Sequence, residues 1–251
     1  MDLPLLNRKQ LAGLVAIDYT NTAGIVAELL GMDPSDFTSI NVSKSQGFDN
    51  YPRAHQHCYD TFFKGQNEQS LSSELYVQYS FTQQPSNQTV SLDALALSGA
   101  TTKARLRRLQ KHSKDYVAEA DDTQYTELSN ECPASVRELI DAIRATGDTV
   151  TRVRLAGLAP GHSILLHRDH DPTRIVRLHI PIATTPHCVI DCEDRQQQIV
   201  STHLQTGRVY ILNTGRRHAA RNNSDQWRVH LLIDIHGQNF LRQHTANTIV
   251  D

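Results

Sequence analysis

From about residue 148 to the end, the chain is a series of short segments rich in β-branched and aliphatic residues, each closed by a turn signal. This texture restricts the fold more than any other feature. The segments are Val150–Leu158, Ser163–Asp169, Ile175–Ile182, Val189–Asp191, Gln198–Leu204, Arg208–Asn213 and Trp227–Ile235. Between them fall Pro160-Gly161, Asp171-Pro172, Gly207, Gly215 and Asn222-Asn223. Many short strands at such intervals predict a sandwich or jelly roll. No internal repeat competes with that reading.

Alternate residues of a strand point to opposite faces. In the last segment Trp227, Val229, Leu231, Ile233 and Ile235 share one face, and Arg228, His230, Leu232 and Asp234 the other. In Ile175–Ile182 the apolar face is Val176, Leu178, Ile180 and Ile182, with Arg177 and His179 opposite. Ser163, Leu165, His167 and Asp169 likewise share a face. A solvated face normally shows Lys, Glu, Thr and Ser. These polar faces hold His, Arg, Asp and one Ser, so we expect them to line a polar interior.

The first half reads differently. Arg8–Ile17 and Thr22–Leu30 space their apolar residues as helices do, and Gly31 suits a helix stop. Glu74–Phe81 alternates like a strand, while residues 41–70 are turn-rich and residues 103–127 carry dense mixed charge without a clear pattern. Pro133–Ile143 predicts a helix, with proline at its start and a stripe of Val136, Leu139, Ile140 and Ile143. We therefore expect an α/β region over 1–147 that packs on and extends a β core over 148–251, in one compact domain.

A formal net charge of −2 gives no basic field for nucleic acid or an anionic membrane. The start of the chain lacks a signal peptide's order of basic, apolar and small residues, and no apolar run is long enough to cross a bilayer. Cys58, Cys132, Cys188 and Cys192 form no Cys-x-x-Cys unit, so a cytoplasmic enzyme with reduced thiols is the expectation. Thirteen histidines justify a search for a metal site.

His167-Arg168-Asp169 puts an imidazole and a carboxylate two residues apart, and His218 follows after the strand Arg208–Asn213. Two His and one carboxylate occupy one face of an octahedral ion and leave three sites open, an arrangement suited to non-haem Fe(II) and O2. Two open sites accept a 2-oxo acid and the third O2. Arg228 can pair through both its terminal nitrogens with the far carboxylate of 2-oxoglutarate. His55 and His57, or Cys188 and Cys192 with His187, lack the further partners a metal needs. Asp171 belongs to a turn. Arg174, Arg216, Arg217 and Arg221 are candidate substrate clamps, although loop arginines are more often solvated.

The stretch from Leu158 to Gly237 resembles the aspartyl/asparaginyl β-hydroxylase family, which includes bacterial proline hydroxylases. The matching segments are Ala159-Pro160-Gly161, His167-Arg168-Asp169, Arg177-Leu178-His179-Ile180-Pro181, Gly207 with Asn213, His218 with Asn222, and Arg228 through Asp234. Glu131-Cys132-Pro133 resembles the segment before the family's core. The resemblance implies a double-stranded β-helix and an Fe(II)/2-oxoglutarate dioxygenase, with iron held by His167, Asp169 and His218. It implies that Arg177 and His179 hold the cosubstrate near the metal, with Arg228 at its other end. Vertebrate members have glycine at the carboxylate position; Asp169 makes this chain look like the bacterial small-molecule branch. The expected reaction hydroxylates a side-chain carbon of an Asp-, Asn- or Pro-like amino acid, free or in a peptide, and yields succinate and CO2. The rival readings are a cupin-like metalloenzyme that does not use 2-oxoglutarate and a non-catalytic β-barrel binding module.

Overall fold

A computed structural model describes residues 5–31, 61, 76–83 and 125–245 of the chain. The strands form two sheets, with a third pairing of two short strands. The eight strands after residue 148 are β5 (Thr149–Leu158), β6 (Ser163–His167), β7 (Val176–Ala183), β8 (Cys188–Glu193), β9 (Ile199–Thr202), β10 (Val209–Leu212), β11 (His218–Asn222) and β12 (Arg228–His236). They divide into a major sheet containing β10-β7-β12-β5 and a minor sheet ordered β6-β11-β8-β9. All pairings are antiparallel. The chain crosses between the sheets repeatedly, giving the double-stranded β-helix that the strand spacing and resemblance predict.

Two strands from the first half widen the major sheet. β1 (Leu14–Ile17) pairs with β10, and β2 (Tyr76–Ser80) pairs with β5. The helix expected over Arg8–Ile17 does not form: residues 8–10 make a turn and Leu14–Ile17 is a strand. Leu14-Val15-Ala16-Ile17 is a continuous apolar run that fits either period, and the open edge of β10 decides the outcome by pairing its backbone groups. β3 (Thr82–Gln83) and β4 (Glu127–Leu128) make the small third pair.

The helices behave as their sequences suggest. α1 (Thr22–Leu30) stops at Gly31, whose φ of 63° is the left-handed conformation that glycine adopts freely. α2 (Ala134–Ala145) buries Val136, Leu139, Ile140 and Ile143. Its first turn has no cap from Pro133. Instead Glu28 of α1 accepts the N–H groups of Ala134 and Ser135 at 2.9 and 2.8 Å. That carboxylate satisfies two orphan donors and ties the helices together. A short α3 (Asn239–Thr245) is capped in the same manner by Asp148, which accepts the N–H of Phe240 at 2.8 Å.

Burial follows the strand parity. Val229, Leu231, Ile233 and Ile235 of β12, with Leu178, Ile180 and Ile182 of β7 and Val153 and Leu155 of β5, pack against α1 and α2 in the main core. Such burial contributes roughly 1.5–3 kcal/mol per large side chain. A second cluster of Leu158, Ile190, Cys192, Leu204, Tyr210, Leu212 and Ala220 lies between the sheets. The opposite parity of β7 and β12 is also buried: Arg177, His179, Arg228, His230 and Asp234 are at most 9% exposed. Both faces of these strands are thus covered, and the polar face lies inside as expected. None of the described helices is long and apolar enough to cross a membrane.

Candidate metal centre

β11 runs between β6 and β8 and opens on His218, which lies opposite His167 at the end of β6. Sequence reading missed β11, because His218-Ala219-Ala220-Arg221-Asn222 has no apolar alternation. The β6–β11 register then slips. Ala220 pairs with Ile164 and Arg221 with Ser163, so three residue steps on β6 match two on β11. This bulge corrects the expected shared face of Ser163, Leu165 and His167. Ile164 packs between the sheets, whereas Leu165 is 81% exposed. The extra residue re-aims the strand end so that His167 faces His218.

Asp169 lies just beyond β6, where its N–H donates to the Thr214 carbonyl at 2.8 Å. The ring centroids of His167 and His218 are 4.3 Å apart. Nε2 of His167 is 3.9 Å from Oδ1 of Asp169, and Nε2 of His218 is 4.0 Å from Oδ2. One ligand atom from each residue lies within 4.8 Å of the others. No second group of this kind occurs among the described residues.

Backbone carbonyls set both imidazoles. Nδ1 of His167 donates to Leu165 O at 2.7 Å, and Nδ1 of His218 to Arg216 O at 3.0 Å. A carbonyl only accepts, so Nδ1 carries a proton, and in the neutral ring the lone pair is on Nε2, where a cation could bind. Burial, the largest influence, pushes the His218 pKa down to about 4 against the opposing pull of the Arg216 carbonyl. That imidazole is therefore neutral near pH 7, the form that binds metal. The side chains of His167, Asp169 and His218 are 27, 14 and 7% exposed, so the cluster opens toward solvent past His167.

The inner face of the major sheet carries the other predicted residues. Arg228 Nη2 donates to His230 Nδ1 at 2.8 Å, which leaves His230 Nε2 as a buried donor with no partner. The rings of His230 and His179 meet edge-on at 5.9 Å, and neither nitrogen of His179 has a partner. Unpaired buried polar atoms cost free energy, so a polar ligand or a water reaching this pair would satisfy them. Arg177 sits beside the metal cluster. Its Nη1 donates to Asp169 Oδ2 at 2.8 Å, and its Nε and Nη2 donate to Asp234.

Burial holds His179 and His230 well below the usual imidazole pKa, and the nearby Arg228 cation adds to the shift in both. The unfolded chain protonates both below about pH 6.5, while the folded chain keeps them neutral. Stability is thus full above that pH and falls as pH drops, by about 1.4 kcal/mol per pH unit for each histidine. The urea unfolding midpoint is expected to fall between about pH 7.5 and about pH 5.5. An unchanged midpoint would show that the two rings are not neutral in the fold.

Of the other candidate arginines, Arg174 is exposed in the turn before β7, and three have structural partners. Arg216 donates to the carbonyls of Lys9, Leu11 and Asp194. Arg217 pairs with Glu193 and Arg221 with Asp191. Asp171 Oδ1 accepts Thr173 N–H at 3.1 Å, which makes the expected turn. Asn213 donates to Arg8 O and Leu11 O, pinning the N-terminal segment. Asn222 donates to the carbonyls of Leu158, Ala159 and Gln226 and so ties β11 to the ends of β5 and β12. Cys188 and Cys192 are separate buried thiols, and burial pushes Cys192 up to about 11. His55, His57 and Cys58 lie outside the described residues.

Two histidines and a carboxylate thus converge at one end of the minor sheet of a double-stranded β-helix, an arrangement that could hold a metal ion. Residues 86–237, more than half of the chain, match the aspartyl/asparaginyl β-hydroxylase family, and the chain belongs to that family. No curated protein matches it in sequence. Solved structures with a similar fold include an oxidoreductase of the 2OG-Fe(II) oxygenase family from Burkholderia pseudomallei. That protein is 16% identical, with 43% of this chain and 60% of that chain covered and a TM-score of 0.37. This chain thus spans about 60% of that protein's length. AviO1 from Streptomyces viridochromogenes is 15% identical over 64% of this chain and 90% of its own, with a TM-score of 0.36. A cupin domain from Bordetella pertussis is 24% identical over 34% of this chain and 80% of its own, with a TM-score of 0.28.

Proposed function

We propose that this protein is an Fe(II)- and 2-oxoglutarate-dependent dioxygenase that hydroxylates a side-chain carbon of an Asp-, Asn- or Pro-like amino acid, free or peptide-bound. The observation that carries the reading is the cluster of His167, Asp169 and His218, with both Nε2 lone pairs held available by carbonyls on Nδ1. Two imidazoles and one carboxylate suit a first-row divalent ion, and three ligands leave open positions. Bound iron and cosubstrate supply the oxidation, in which O2 is consumed, 2-oxoglutarate becomes succinate and CO2, and the substrate carbon gains a hydroxyl group.

The chain's own residues bind and orient. His167, Asp169 and His218 hold the ion. Arg228 binds the far carboxylate of the cosubstrate, with its guanidinium steadied by His230, and the unpartnered donors of His179 and His230 serve the same dianion. Arg177 works at the metal side. The buried sheet interior keeps water from the reacting groups. The buried free thiols of Cys132, Cys188 and Cys192 are in keeping with a reducing compartment such as the cytoplasm.

Anaerobic addition of Fe(II) and then 2-oxoglutarate to the purified chain tests the reading. A weak visible charge-transfer band is expected, followed on admission of O2 by succinate release that a suitable amino acid stimulates. A chain that binds Fe(II) but gives no band and no succinate would instead be a cupin-like metalloenzyme of another kind. A chain indifferent to metal would be a binding module.

A further inference from the structure

Asp234 is fully buried on β12, and no role for it follows from the motif that contains it. Three guanidinium groups surround it. Arg177 donates through Nε to Oδ1 at 2.6 Å and through Nη2 to Oδ2 at 3.1 Å. Arg154 Nη1 donates to Oδ2 at 3.3 Å, and Arg152 Nη1 lies 3.8 Å away. Arg152 occupies a bulge of β5, where the register passes from Ile233–Val153 to Asp234–Thr151. Its φ is 46°, a left-handed conformation that costs an L-residue about 1–2 kcal/mol. Burial alone would raise the Asp234 pKa, but the three cations outweigh it and hold the carboxyl ionised.

A guanidinium is planar, so fixing two of its nitrogens fixes the direction of the third. Asp234 grips the Nε–Nη2 edge of Arg177. The remaining Nη1 is thereby aimed at Asp169, where it donates to Oδ2 at 2.8 Å. Oδ2 is engaged by that donor and faces His218, 4.0 Å from its Nε2, while Oδ1 faces His167, 3.9 Å from its Nε2. An aspartate free to turn can give both oxygens to an ion and fill two positions. One held in this way gives one oxygen.

We propose that Asp234 is a positioning residue of the metal centre: through the plane of Arg177 it restricts Asp169 to a single ligand oxygen. The proposal rests on the metal-site reading above. One-oxygen ligation keeps three positions of an octahedral ion open, the number a chelating cosubstrate and O2 together need. Asp234 also neutralises a cation that would otherwise stand unscreened beside a divalent ion. The two effects have the same sign, because losing Asp234 loosens the ligand and leaves Arg177 to repel the metal.

The test is Co(II) titration of the full chain, read by affinity and by the visible d–d spectrum, with melting temperature followed in parallel. Asp234→Asn keeps the shape and removes the charge. It is expected to bind Co(II) about tenfold or more weakly, the loss typical of groups that orient a metal ligand, with an altered spectrum. Adding Arg177→Gln to Asp234→Asn removes the repelling cation but not the loosened ligand, and is expected to recover only part of the affinity and to leave the spectrum altered. A purely structural ion-pair network would lower the melting temperature of Asp234→Asn and leave affinity and spectrum as in the parent, and that result overturns the proposal. If Asp234→Asn does not fold, Arg177→Lys decides, because it keeps the charge and loses the planar fork. Weaker binding with a shifted spectrum supports the proposal, and parental behaviour refutes it. A parent chain that binds no Co(II) removes the metal-site reading itself. A parent that binds while the variants match it removes only the role of Asp234.

Discussion

A His218→Ala chain is expected to lose Fe(II) binding by well over about 100-fold, since even groups that merely orient a ligand cost roughly 10- to 100-fold. The imidazole is buried at the first residue of β11, opposite His167, and its Nδ1 is committed to Arg216 O. Alanine supplies no donor at that place, and no other His, Cys, Asp or Glu of the described chain joins the cluster. Two ligands remain, and the cosubstrate-dependent band and succinate release should both disappear. The sheet should survive, because β11 is held by its ladder to β8 and by Asn222. Circular dichroism together with metal titration checks this. A folded variant with parental Fe(II) affinity would remove the three-residue site. Arg221→Ala on the same strand breaks the ion pair with Asp191 and the hydrogen bond to Ser201 and should leave the affinity unchanged.

The second large effect is expected at Arg228. Arg228 is 4% exposed and its guanidinium is hydrogen-bonded to His230, so the group is desolvated and fixed in direction. Truncating one partner of a buried charged pair costs roughly 2–5 kcal/mol. For Arg228→Met this means a KM for 2-oxoglutarate raised by about thirtyfold or more. Fe(II) affinity should change little, because Arg228 is not one of the three ligands and its guanidinium is hydrogen-bonded to His230. The split between cosubstrate KM and metal affinity is the informative readout. Equal loss of both would indicate collapse of the sheet interior, and no loss of either would take Arg228 out of cosubstrate binding. Arg228→Lys keeps the charge without the fork and should fall between parent and Met.

The β core was legible because its strands have one strongly apolar face, so Val229 through Ile235 and Val176 through Ile182 declare their register directly. The same alternation put Arg177, His179, Arg228 and His230 on the inner face, where they lie. Legibility ended where long-range pairing, not local pattern, chose the structure. Leu14–Ile17 satisfies both periods and became a strand only because β10 offered an edge. β11 carries two alanines, an arginine and an asparagine and has no apolar signature, yet it holds a metal-cluster residue. Asp234 could have been noticed as an acid sharing the inner parity with Arg228 and His230, since an unaccompanied carboxylate there would be untenable. Its partners Arg152, Arg154 and Arg177 come from other strands, and spacing in one sequence does not connect them.

The bulge in β6 has a consequence for reading relatives of this chain. Side chains on a strand have a phase of two, and one surplus residue at Leu165–Leu166 sets the phase in which His167 arrives at the ion. A homologue with the same His-x-Asp motif and the same spacing but a regular, unbulged β6 would carry the letters of the site with the imidazole turned to the outside of the sheet, whereas one lacking the surplus residue would reach the inner face on a regular ladder. The bulge, taken together with the distance from the motif back to the preceding Pro160-Gly161 turn, is therefore part of the signature, as much as the ligands are.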